Sequence, residues 1–173
     1  TEDPVTGYDT TKEGYNFSGW GEVPATMPAR DLTFTGSYTI NKDLKYNLVY
    51  MVDGTEYKRV TIAFGDAITL EAAPTKEGHT FSGWSEVPET MPLHDVTVTG
   101  TFTANSYTLT YVLDGETFKT ETVVYGTAVT APEAPVKEGH TFAGWTNVPA
   151  TMPAKDVTVT GIFTANSYKV TYI

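Results

Sequence analysis

Three tryptophans, Trp20, Trp84 and Trp145, are the side chains best suited to recognition chemistry in this sequence. Each stands in the same setting, Phe-x-Gly-Trp, with Phe17, Phe81 or Phe142 three residues ahead. An exposed indole offers a flat apolar face on which a sugar ring stacks, and three in register would add avidity. The competing reading makes each indole the core plug of a small domain, with the glycine giving backbone room and the phenylalanine as packing neighbour. The tyrosines divide in the same way. Tyr8, Tyr46, Tyr50, Tyr57, Tyr107, Tyr111, Tyr125, Tyr168 and Tyr172 could line a groove, or flank strands half-buried with their hydroxyls wet.

Other chemistry is poorly supplied. His79 and His140 hold equivalent positions, but Tyr15 holds the third, and tyrosine does not alternate with a metal-binding histidine. His94 aligns with Arg30 and Lys155 and reads as a surface cation. Asp53 and Asp114 precede glycine in hairpin turns, and no D-x-D-x-D-G loop supports calcium. Glu71, Glu77, Glu116 and Glu121 are scattered over a solvated face. A glycosidase needs two carboxylates fixed across one cleft, and small near-identical repeats offer no unique cleft. No Ser-His-Asp set, P-loop or G-x-G-x-x-G occurs, and the Asn16-Phe17-Ser18 sequon has no counterpart in the sibling copies. These residues imply neither an enzyme nor a cofactor.

The elements that position these residues recur. KEGHTFSGWSEVPETMPLHDVTVTGTFTAN, residues 76–105, returns as KEGHTFAGWTNVPATMPAKDVTVTGIFTAN at 137–166, with 23 of 30 positions identical. A more divergent copy begins at Lys12. The matching Gly14, Gly78 and Gly139 are 64 and 61 residues apart. The chain is therefore an array of modules of roughly 60 residues, each marginal alone and dependent on large aromatics for its core. Aromatic residues make up 13% of the chain, which meets that need.

Each module reads as a hairpin, a Pro-rich loop, a Gly-Trp arm, a TMP turn and a Thr-faced strand. Asp53-Gly54 and Asp114-Gly115 sit between β-rich runs, the strongest short-range hairpin signal. EAAPTKEG and APEAPVKEG follow as extended loops. The arm is expected to be irregular, with at most one helical turn. Period-two alternation predicts a strand over 31–39, with Leu32, Phe34 and Tyr38 on one face. It predicts the same for Val96, Val98 and Phe102, and for Val157, Val159 and Phe163, each opposed by threonines. The insertion at 40–45 marks a linker. The expected division is 1–43 as a partial repeat lacking its leading hairpin, 44–104 and 105–165 as complete repeats, and 166–173 as the first strand of a further repeat. A permuted frame, broken near Gly65 and Gly126, is the alternative, and the insertion at 40–45 favours the first.

The run YTLTYVLDGETFKTETVVY at 107–125, with K-E-G-x-x-F-x-G-W at Lys76, Glu77, Gly78, Phe81, Gly83 and Trp84 and its counterparts, resembles the Listeria–Bacteroides repeat, also called the internalin B-repeat. The similarity runs over nearly the whole chain. It implies a compact, mainly β, β-grasp-like module in tandem, with little or no helix, carried by secreted and surface proteins of bacteria as a spacer or adhesin stalk. It brings no catalytic residues. V-P-x-T-M-P departs from the internalin version, where a longer, more helical arm is expected.

Composition narrows the partners. A net charge of −10 repels phosphate backbones, so nucleic acid is excluded. Cysteine is absent, so neither disulfides nor thiolate metal sites arise. No apolar run is long enough to span a bilayer as a helix. The expectation is a cell-surface or extracellular array acting as a stalk, with a glycan or a host protein as the alternative partner. Exposed strand edges at the two ends add an expected head-to-tail self-association.

Overall fold

The computed structural model describes residues 10–22, 24, 26 and 28–173, and all regular structure in them is strand. Eleven strands follow in chain order: β1 Tyr15–Trp20, β2 Gly36–Ile40, β3 Lys45–Val52, β4 Thr55–Ala63, β5 His79–Phe81, β6 Val96–Gly100, β7 Phe102–Ala104, β8 Ser106–Leu113, β9 Glu116–Val124, β10 His140–Thr146 and β11 Val157–Ala165. They form two compact units, one of residues 1–72 and 83–100, the other of 73–82 and 101–173.

The second unit holds a four-stranded mixed sheet in the order β10-β11-β8-β9 and a two-stranded ribbon of β5 and β7. At the sheet's centre β8 and β11 run parallel, Leu109 beside Val157 and Tyr111 beside Val159. Antiparallel neighbours flank this pair on both sides. The first unit repeats the centre as β4-β3-β6, with Leu48 beside Val96 and Tyr50 beside Val98, and adds a ribbon of β1 and β2. A parallel central pair reached through hairpin and loop is the β-grasp-like arrangement that the sequence predicts.

Local chemistry explains each piece. Asp53 and Gly54 have φ of 50° and 79°, and Asp114 and Gly115 have 52° and 89°. Two left-handed residues in succession match the right-handed twist of a hairpin, which is why Asp-Gly serves there. The Thr-faced strand alternates as expected: Val96, Val98 and Gly100 are buried, Thr97 and Thr99 exposed. Valine stiffens the pleat on the inner face, while threonine keeps the branched shape on the wet one. Each buried valine or leucine contributes about 1.5–3 kcal/mol relative to an exposed one.

The core of the first unit is Leu48, Tyr50, Met91, Val96 and Val98; that of the second is Leu109, Tyr111, Met152 and Val159. Met91 and Met152 come from the TMP turn. The turn is tied to the hairpin's end in both copies. Gly65 N donates to Met91 O (2.9 Å) and Met91 N to Asp66 O (2.8 Å), as Gly126 N donates to Met152 O and Met152 N to Thr127 O.

Three expectations are corrected. The strand predicted over 31–39 begins only at Gly36, because residues 31–35 have, among the described residues, no ladder partner like the one that β3 gives β6. The Gly-Trp arm is not irregular in copies one and three. It is a strand, β1 or β10, whose register slips by a bulge between Phe17 and Trp20 and between Phe142 and Trp145. Tyr50 and Tyr111, expected half-buried, are 1% and 0% exposed. Among the described residues no helix is long and apolar enough to cross a membrane.

Candidate functional site: the aromatic face of each module

A second irregularity builds the aromatic face. In the first hairpin Tyr50 pairs with Lys58 but Met51 with Glu56, so Tyr57 is the extra residue of a bulge. In the second, Tyr111 pairs with Lys119 and Val112 with Thr117, leaving Phe118 extra. A bulge re-aims its residue. Tyr57 comes to lie 6.2 Å from Trp84 at 38° between ring planes, and Phe118 5.7 Å from Trp145 at 35°. Beneath, the same indoles meet Tyr50 and Tyr111 edge-on, at 5.0 and 5.3 Å. Offset and edge-to-face geometries are the favourable ones for aromatic pairs.

The polar ends of these rings hold the Pro-rich loop. Trp84 Nε1 donates to Glu71 O (2.9 Å) and Trp145 Nε1 to Pro132 O (2.8 Å). The Tyr50 hydroxyl donates to Thr69 O and accepts from Glu71 N, and that of Tyr111 donates to Thr130 O. Pro132 has no N–H, so the second donor of copy two has no counterpart in copy three. Burial pushes the Tyr111 hydroxyl above the usual tyrosine range, with the Glu121 charge adding to it.

The three tryptophans therefore differ in setting. Trp84 and Trp145 are half-buried and engaged through their N–H. Trp20 is 48% exposed, packed on Phe17 at 5.1 Å. The outermost rings of the two complete copies are Tyr57, 54% exposed, and Phe118, 40%. Sequence reading named Tyr57 among the tyrosines that could line a groove but missed Phe118, although both follow the hairpin glycine by three residues. The remaining tyrosines scatter, and Tyr8 lies outside the described residues.

The charged residues serve the fold. Asp95 receives the N–H of Asn47 on Oδ1 (2.7 Å) and its amide on Oδ2 (3.1 Å). These bonds hold the carboxyl below the usual range. Asp156 accepts from Thr108 N in the same way. Asp114 does more than turn a hairpin. Lys137 Nζ stands 2.8 Å from Oδ2, Phe163 N donates to Oδ1, and the carboxyl is held low, chiefly by the lysine. The Lys58 ammonium beside Glu71 and the Lys119 ammonium beside Glu121 are held above the usual range by those carboxylates. His79 and His140 lie edge-on to Phe102 and Phe163, each with Nδ1 on a backbone carbonyl, and His94 is exposed. Among the described residues no three His, Cys, Asp or Glu side chains converge as a metal site.

Fold and site together define a tandem array of small all-β modules, two of them closed by an aromatic clamp of Trp84 or Trp145 on its Pro-rich loop. The profile of the Listeria–Bacteroides repeat domain matches residues 46–103 and 107–166, and the chain belongs to that family. It is 35% identical over 161 residues to internalin H of Listeria monocytogenes serovar 1/2a, a match that takes in 82% of this chain and 29% of that protein. The chain thus spans less than a third of that relative's length. Among solved structures it is similar to repeats 3–4 of the Streptococcal High Identity Repeats in Tandem domains from a cell surface protein. That match has 19% identity and a TM-score of 0.38, over 69% of this chain and 96% of that one. A second, Mub-RV, matches at 13% identity and a TM-score of 0.24, over 72% and 100%. The chain is accordingly a repeat region of the kind carried by internalin-like proteins.

Proposed function

We propose that this array is a non-catalytic, semi-rigid spacer in a surface or secreted protein of a bacterium, holding other domains away from the cell. The observation that carries the reading is the seating of one copy's ribbon on the next copy's hairpin. Asn105 N donates to Gly78 O and Tyr125 N to Asn105 O, both at 2.8 Å. The Tyr125 ring lies directly over Gly78 and edge-on to His79, at 5.5 Å. Phe64 takes the same position over Gly14 and beside Tyr15. Residues between copies are thereby bonded rather than left as a free tether. We place the frame with the hairpin leading, at 44–104 and 105–165, since it keeps each parallel pair within one copy. Small-angle scattering on arrays of three, four and five copies tests the spacer. The maximum dimension is expected to rise by a constant increment of roughly 25–35 Å per copy. Growth as the square root of copy number, the behaviour of flexibly linked beads, would overturn it.

A second reading, a glycan- or protein-binding module, has one observation in its favour: the exposed Tyr57 and Phe118 rings recur at the same place in successive copies. Iodide quenching of tryptophan emission with and without a glycan mixture separates the two. The spacer predicts one accessible class, Trp20, unchanged by glycan. The binding module predicts protection of Trp20, Trp84 or Trp145.

A further inference from the structure

In the second unit β9 is the outer strand of its sheet, and among the described residues no strand lies beyond it. Its partner β8 fixes which main-chain groups face outward. Thr108 N donates to the Asp156 carboxylate at the head of β11, so that N–H points away from β9. Successive N–H groups alternate sides, so those of Tyr107, Leu109 and Tyr111 point to β9, where Val123, Glu121 and Lys119 stand opposite them. Tyr125 N, bonded to Asn105 O, continues the same parity. The N–H and C=O groups of Thr120 and Thr122 therefore face out from the sheet. The strand is exposed over most of its length. An open edge of this kind is a template for another strand.

Charged side chains ordinarily close such an edge. Those of β9 are placed so that one partner strand matches them. Lys119 and Glu121 flank Thr120 symmetrically, share a face with Tyr111 and Leu109, and form a partly exposed ion pair of 2.6 Å. Laid antiparallel on a second β9, about a two-fold axis at Thr120, the strand sets Thr120 opposite Thr120 and Lys119 opposite Glu121 twice over. The two threonines then form a hydrogen-bonded pair through their outward groups. The Lys119–Glu121 pairs fall at the narrow, non-hydrogen-bonded sites, where side chains approach most closely. Each lysine comes to lie between its own Glu121 and that of the second molecule, in a ring of alternating charges. Moving the axis to Thr122, the next position with outward groups, sets Glu121 opposite Val123 and Lys119 opposite Tyr125, and both pairs are lost.

The equivalent edge of copy two lacks this property. Lys58, Arg59 and Val60 of β4 lie opposite Tyr50, Val49 and Leu48, as Lys119, Thr120 and Glu121 lie opposite Tyr111, Thr110 and Leu109. The same two-fold contact would set Arg59 against Arg59 and Lys58 against Val60, and like charges directly opposite are destabilising.

We propose that β9 is a self-recognition edge, through which two molecules of this chain pair antiparallel about Thr120 and join their four-stranded sheets. Main-chain hydrogen bonds hold the added strand and the charge pairs set its register. The contact is isologous, so at this edge it stops at two molecules. It goes beyond the spacer reading and does not rest on it, because it needs the sheet of one module and nothing of how the copies are spaced.

Sedimentation velocity on the whole chain, between about 10 µM and about 1 mM, tests the contact. Salt of about 0.15 M screens the net charge of −10 beyond about 8 Å and leaves the close pairs effective. The parent is expected to show a monomer–dimer equilibrium. Glu121→Lys, which sets lysine opposite lysine, is expected to weaken it at least about ten-fold with unchanged circular dichroism. Thr120→Arg, which copies the residue that β4 carries, is expected to do the same. The double swap Lys119→Glu with Glu121→Lys restores opposite charges across the axis and is expected to return the dimer constant to within about three-fold of the parent. Amide exchange at Thr120 is expected to slow as the parent dimerises. A parent that is strictly monomeric at the highest concentration would overturn the proposal. So would undiminished association of Thr120→Arg, a double swap no better than Glu121→Lys, or exchange at Thr120 that stays fast in the dimer.

Discussion

Gly78 and Gly139 form a controlled pair. Both stand in Lys-Glu-Gly-His-Thr-Phe, with φ of 67° and 69°. They differ in what lies above them. A Cβ on Gly78 would meet the Tyr125 ring at 2.4 Å, while one on Gly139 would meet nothing within 4 Å. Alanine at either site pays the left-handed backbone cost, about 1–2 kcal/mol. At Gly78 it must also displace an aromatic ring that is bonded to the module through Tyr125 N, and forced overpacking costs about 1–3 kcal/mol more. A module of this size has a total stability on the order of 3–9 kcal/mol, so the difference is large enough to measure. Urea unfolding, followed by tryptophan emission and circular dichroism, is expected to show Gly78→Ala less stable than Gly139→Ala by at least about 1 kcal/mol. Truncating the ring removes the obstacle, so Gly78→Ala in a Tyr125→Ala background is expected to cost no more than Gly139→Ala alone. Equal losses for the two alanines in the intact chain would refute the ring-on-glycine contact and, with it, the seating of one copy on the next.

Two further perturbations follow from the cores. Met152→Ala empties a site 1% exposed and is expected to cost about 2–5 kcal/mol, enough to unfold its module at moderate urea, whereas Val136→Ala, 99% exposed, should change nothing. A loss below about 1 kcal/mol for Met152→Ala would show that the TMP turn is not a core element. Asp95→Asn keeps an acceptor for Asn47 but removes the charge. Because the folded carboxyl is held below its unfolded value near 3.9, its contribution is present above that value and is lost as pH falls through the folded pKa. The parent is therefore expected to be more stable than Asp95→Asn at pH 7, with the gap closing below about pH 4. A gap of the same size at pH 3 would contradict the assignment.

The repeat, the Asp-Gly hairpins and the wet and dry faces of Val96–Gly100 were legible in the chain because each depends on residues close in sequence. A turn needs two left-handed positions together, and a pleat alternates every second residue whatever lies across from it. The same alternation over 31–39 fell short because a strand also needs a partner. The partner of β6 lies more than forty residues ahead of it, beyond the reach of any local pattern. The aromatic face was hidden for a similar reason. A Gly-Trp pair looks alike in all three copies, but Trp84 and Trp145 are half-buried, held by tyrosines and loop carbonyls from distant segments, while Trp20 is 48% exposed. Nor could spacing reveal the bulges that place Tyr57 and Phe118 beside the indoles, since register is settled only when both strands are in place. By itself the sequence determined the repeated module and its family. Tertiary structure alone decided which aromatics are plugs, which are exposed, and which glycine carries the next copy's ring, because those depend on where distant segments meet.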